Sequence, residues 1–171
     1  MNKKILLLFV INIVFIYTNT IHSQTKETLA VLKFKSFGSY MSEDIYLESL
    51  CGFLTTELFN SKKFRLVERS RLKEILNEQR FQESNLSNRQ IQSLGKILGV
   101  RKIIVGEVSA DGFYGSVSMN NKRNITANVR ILDVQTGFID VSITCSIIDV
   151  VSNETLQKFA TDIVIKIMEN Y

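Results

Sequence analysis

From Lys102 to the middle of the chain's last third, apolar residues fall on every second position, and this alternation limits the fold more than any other feature. "KIIVGEV" opens the stretch. "NITANVRILDV" then sets Ile125, Ala127, Val129 and Ile131 on one side, and "FIDVSITCSII" does the same with Ile139, Val141, Ile143, Cys145 and Ile147. A period of two is the signature of a strand with one buried face, so these segments predict consecutive antiparallel strands. Gly137 in "DVQTG" supplies the positive φ that a short hairpin loop needs. Asn120 and Asn121 in "SMNNKR" mark a turn between the preceding pair.

Before Lys102 the period is helical. Leu47, Leu50, Cys51, Leu54 and Leu58 predict one face of a helix over Ser42–Asn60, and Leu72, Ile75 and Leu76 predict a second helix after a short strand, "FRLVE". In "LSNRQIQSLGKILGV" Ser87 and Gln90 form a capping box. Leu86 and Ile91 form a hydrophobic staple, Gly95 permits close approach of a neighbour, and Gly99 closes the helix in the left-handed region. Leu156, Phe159, Ala160, Ile163 and Ile167 predict a last amphipathic helix lying on the sheet. "TLAVLKFKSF", near the start, reads as a central strand of a covered sheet. The expected architecture is a single α/β layered domain over residues 24–171. Its sheet is mixed, with a parallel βαβ beginning and an antiparallel meander at the end, and helices pack on it.

The first 23 residues read as a secretory signal. Lys3 and Lys4 precede the apolar run "ILLLFVINIVFIY", and Ser23 is a small residue at a plausible cleavage site. Cleavage would remove His22, the only histidine, and with it the commonest general base and zinc ligand. The remainder carries 19 basic and 17 acidic residues, a net charge of +2 that gives no support to a nucleic-acid partner. No Cys stands at the cleavage site, so the expectation is a soluble, non-lipidated protein of the periplasm. Cys51 and Cys145 could bridge there; the competing reading is two buried small hydrophobes.

The densest charge lies in "FRLVERSRLKEILNEQRFQ". Ser70 and Lys73 match Ser-x-x-Lys, but the companion motifs of penicillin-binding serine enzymes are missing, and Ser70 is more simply a helix cap. Asp133, Asp140 and Asp149 could be imagined around a cation, yet no calcium-loop spacing joins them. No phosphate-binding glycine motif occurs. No catalytic residue, metal site or cofactor is therefore expected. Arg69, Arg71, Lys73, Glu74, Glu78 and Arg80 alternate in sign on the outer side of their helix, which makes them a candidate partner surface. "FYGSVSMNNKRNIT" is too short and polar for membrane-spanning strands.

Taken in order, "TLAVLKFKSFG", "LTTELFNSKKFRLVERSRLKEILNEQRFQESNLS", "LGKILGVRKIIVGEVS" and "NVRILDVQTGFI" resemble the CsgG family of curli production assembly and transport components, over about residues 28 to 143. The resemblance implies an exported α/β domain with a non-enzymatic role in envelope assembly or secretion, bound to envelope proteins and open to homo-oligomerisation. Without long hairpins or a lipidated Cys the chain is similar to the soluble core of that family, as in LpoB and the TolB N-terminal domain. Two alternatives are a subunit of an outer-membrane secretion channel and, from another class, a hydrolase built on Ser70 and Lys73.

Overall fold

A computed structural model describes residues 26–37, 44–80, 86–111 and 122–171. The expected signal segment, the expected turn at "SMNN" and the residues before it lie outside the described residues. The elements are β1 (Glu27–Val31), β2 (Lys35–Phe37), α1 (Asp44–Asn60), β3 (Phe64–Leu66), α2 (Arg69–Glu78), α3 (Asn88–Leu98), β4 (Lys102–Asp111), β5 (Arg123–Asp133), β6 (Ile139–Asp149) and α4 (Asn153–Asn170). One mixed sheet runs β3-β1-β4-β5-β6, with β2 continuing beside β4. β1 is parallel to β3 and to β4, while β4, β5 and β6 form the antiparallel meander that the alternation predicts.

The helices divide between the two faces. On one, the stripes of α1 and α4 pack over the sheet, burying Leu50, Leu54, Phe159 and Ile163 against Val31, Ile104, Val129 and Ile143. On the other, Leu72 and Leu76 of α2 and Ile91 and Leu94 of α3 cover Ala30, Leu32 and Ile103. The second face of β5 and β6 carries no helix from this group. It is a ladder of polar pairs: Thr126 and Ser146 hydroxyls meet at 3.0 Å, and Thr144 Oγ1 donates to Asn128 Oδ1 at 2.8 Å. Polar side chains alternate with buried apolar ones here because one face is dry and the other wet.

The ends of α3 are set as the local sequence dictates. Ser87 Oγ accepts from Gln90 N–H at 3.4 Å, Gln90 Oε1 accepts from Ser87 N–H at 2.9 Å, and Gly99 sits at φ +67°. Gly95 is needed for contact, since a Cβ there would lie 2.7 Å from Val134 Cγ1. Gly137 takes φ +76° in the hairpin loop.

Two predictions about strand regularity need correction. "TLAVLKFKSF" is not one strand. Val31 pairs with Ile104 and Lys35 with Glu107, so Leu32, Lys33 and Phe34 stand opposite only Val105 and Gly106. The extra residue is a bulge, and it reverses the alternation. Phe34 therefore turns into the α1/α4 core beside Val31, fully buried, and the following β2 is exposed throughout. Ile139, expected on the buried face with Val141, is instead 51% exposed. Leu132 pairs with Ile139 and Ile131 with Val141, which makes Asp140 the extra residue of a second irregularity and flips Ile139 outward.

Cys51 and Cys145 are both buried, and no disulfide joins them. The proposed bridge is not formed: Cys51 Sγ lies 3.6 Å from the Leu32 carbonyl beside β1, whereas Cys145 belongs to β6, three strands away. At about 4.8 Å per strand that is roughly 14 Å, beyond the ~7 Å a disulfide can span. Among the described residues no helix is long and apolar enough to cross a membrane.

Candidate interaction surface

α2 presents the charged run. Its apolar side, Leu72, Ile75 and Leu76, is buried, and this leaves Arg71, Lys73, Glu74 and Glu78 on the exposed side. The remaining two candidates differ from them. Arg69 is half-buried and its Nη1 donates to the Val31 carbonyl at 3.1 Å, tying the start of α2 to the end of β1. Arg80 lies beyond the helix, exposed, at φ +53°, with its N–H donating to Asn77 O at 3.1 Å. Lys73 Nζ reaches Glu48 of α1 at 3.2 Å, so the surface spans two helices that cover opposite faces of the sheet. As an exposed pair, this contact contributes little to stability and leaves both groups available to a partner.

Ser70 is not the cap of α2. The N-cap position belongs to Glu68, which makes no side-chain capping bond, and Ser70 is the second residue of the helix. The Lys73 ammonium pairs with Glu48 and not with the Ser70 hydroxyl. The Ser-Lys pair therefore lacks the base-to-nucleophile contact that hydroxyl activation requires.

Chemistry that the sequence did not reveal gathers at the other end of the meander. Lys102 on β4 is buried, and its ammonium donates to Asp133 Oδ2 at 2.9 Å and to Asp140 Oδ2. Asp133 Oδ1 accepts from the backbone N–H groups of Gln135 and Thr136 at 2.9 and 2.8 Å, and from Thr136 Oγ1 at 3.0 Å. The irregularity at Asp140 is what turns its carboxylate toward Lys102. Asp133 and Asp140 thus converge, not on a bound cation, but on a lysine, while Asp149 stands at the far end of β6 and accepts from Val150 N–H. "DVQTG" owes its residues to this turn: Asp133 gathers the loop's donors and Gly137 accepts its positive φ. Beyond it Phe138 is 74% exposed.

The cluster shifts both charges. Burial pulls the Lys102 pKa down, but hydrogen bonds and attraction from Asp140 and Asp133 outweigh it, and the net shift is upward. The Lys102 hydrogen bond, then that of the Thr136 N–H, hold the Asp133 carboxyl well below the usual carboxylate range against the opposing effect of burial. A carboxylate depressed by folding stabilises the fold above its unfolded pKa of about 3.9 and loses that contribution as pH falls. A lysine raised by folding stabilises below its unfolded value of about 10.4 and loses its contribution as pH rises. Unfolding free energy from this cluster should be level between about pH 5 and pH 9 and fall on either side. Urea midpoints measured against pH test this, and an acid limb that Asp133→Asn leaves unchanged would contradict it.

A small cleft lies between the start of α3 and the open sheet face, where Lys33 and Lys35 approach Arg130 and Glu107. Arg130 and Glu107 are 3.7 Å apart. No sequence signal joins these residues, because they come from the first bulge and from three separate strands.

A family model described as the curli production assembly/transport component CsgG matches residues 13–159. Among solved structures, the LpoB C-terminal domain from Escherichia coli is similar at a TM-score of 0.55 and 18% identity, over 71% of this chain and 82% of that one. Lipoprotein GNA1162 from Neisseria meningitidis is similar at 0.60 and 13%, over 85% and 99%. A PelC dodecamer from Paraburkholderia phytofirmans is similar at 0.52 and 8%, over 81% and 86%. No curated protein matches the sequence.

Proposed function

The chain belongs to the CsgG family, and from that premise we propose that it is a non-enzymatic protein-interaction domain of the cell envelope, an accessory or scaffold in assembly or secretion. The observation that carries this reading is the family match across residues 13–159. The fold it shares with a lipoprotein supports it further. Exported to the periplasm and not lipidated, the domain would meet its partners through the exposed side of α2, where Arg71, Lys73, Glu74 and Glu78 offer both signs of charge. Mixed charge on a rigid helix favours selection of a partner and its rate of encounter over raw affinity.

Affinity purification from envelope fractions tests the reading. Arg71→Glu with Lys73→Glu should lower recovery of the captured partner about tenfold, with the fold unchanged by circular dichroism. Recovery equal to that of the unaltered protein would remove α2 as the partner surface. Alkaline carbonate should release the protein from membranes without detergent. Retention until detergent is added would favour the channel-subunit reading.

A further inference from the structure

The outer edge of the sheet is a long strand with little among the described residues to protect it. Asp133 N–H donates to Phe138 O, so the odd-numbered residues of β5 point their backbone groups at β6. Val129 pairs with Ile143, and the odd residues of β6 are therefore spent on β5. By the alternation of an antiparallel ladder, Ser142, Thr144, Ser146 and Ile148 direct their N–H and C=O groups outward.

Sheet edges of this length are normally blunted by prolines, charges, bulges or a covering element. From Val141 to Ile148, "VSITCSII" has neither charge nor Pro, and the irregularity at Asp140 lies before it. Ile148 is 69% exposed. Among the described residues one contact closes this edge: Lys166, exposed on α4, reaches round to donate its Nζ to the Thr144 carbonyl at 2.9 Å.

We propose that β6 is a pairing edge for β6 of a second copy, antiparallel and two-fold, and that Lys166 keeps it closed in the single chain. The choice of a second copy rests on self-complementarity. A register centred on Thr144 sets Ser142 opposite Ser146 and Val141 opposite Ile147, with Ile143 opposite Cys145. Hydroxyl then meets hydroxyl on the open face, apolar meets apolar on the helix-covered face, and no acid faces an acid. Such like-with-like cross-strand pairs stabilise a sheet. Thr144 stands at the two-fold axis, where its N–H and C=O can exchange bonds with their own equivalents once Lys166 lets go. This inference goes beyond the proposed function and stands if that reading fails, since it uses only β6 and Lys166.

Sedimentation equilibrium of the full chain tests it. The wild-type protein should show a concentration-dependent monomer–dimer equilibrium. Lys166→Met should lower the dissociation constant about tenfold, by removing a charge-assisted bond that the dimer must break. Thr144→Lys puts like charges together at the axis and should raise that constant at least about tenfold. Both side chains are exposed, so neither change disturbs the core. Hydrogen exchange on the unaltered chain gives a second reading: the amides of Ser142, Thr144 and Ser146 should gain protection as concentration rises. A monomer at every concentration for both wild type and Lys166→Met, or a dimer indifferent to Thr144→Lys, would overturn the proposal. So would protection of those amides that appears only on adding envelope extract to a chain that sediments as a monomer, since the edge would then belong to another protein's strand.

Discussion

Lys102→Met should destabilise the protein by about 3–5 kcal/mol, the range for breaking a buried ion pair by removing one partner. The charge left behind is the reason. Asp133 is buried and keeps its backbone donors from Gln135 and Thr136, but loses the ammonium that compensates its carboxylate. Asp140, with 35% of its side chain exposed, can recover water. The loss should therefore fall near the lower end of the range. Urea unfolding measures it, and adding Asp133→Asn to Lys102→Met should restore part of the stability, because it takes away the orphaned charge. A loss under about 1 kcal/mol for Lys102→Met would mean that the cluster is solvated and contributes little.

The second large effect comes from the first bulge. Phe34 is fully buried, and its ring lies where a Cβ on Gly106 would be only 2.7 Å away. Phe34→Ala should cost about 3–5 kcal/mol through lost burial and the cavity left behind. Gly106→Ala should cost about 1–3 kcal/mol for the opposite reason, since the new methyl collides with the ring. The two changes share one space, so they should not add: in the Phe34→Ala background, Gly106→Ala should be nearly neutral. Additive losses in that double-mutant cycle would show that the ring moves away from Gly106 and that the bulge has another cause.

Both predictions bear on the surfaces that could meet partners. The Phe34 bulge sets where β1 ends, and with it the carbonyl of Val31 that receives Arg69 at the start of α2. The Lys102 cluster anchors the hairpin loop from which Phe138 and Ile139 project, and it holds the register of β6, whose outer edge is the proposed meeting place of two copies. If the dimer forms, a substitution at Lys102 should weaken it as well, through the register of β6 and without touching the interface.

Much of the site was legible only as ingredients. The charged run on α2 could be placed on an outer face from Leu72, Ile75 and Leu76 alone, yet Arg69, in the same run, turned out to brace a strand. Asp133 and Asp140 were visible as acids near a turn; their shared partner, Lys102, lies some 30 residues earlier and nothing local announces it. Gly106 is unremarkable in the sequence, because the ring that requires it belongs to Phe34, 72 positions before it.

What the sequence determined by itself is the set of elements and most of their faces. Helical and two-residue periods are local properties, as are the Ser87 capping box and the left-handed Gly99, and these fixed which residues face the core in α1, α3, α4, β5 and most of β6. Tertiary structure alone decided where the alternation breaks. An extra residue in a strand exists only relative to the strand beside it, so neither the inward turn of Phe34 nor the outward turn of Ile139 has a local signature. For the same reason only the folded chain could bring Lys102 to two aspartates, and Lys166 to the open edge of β6.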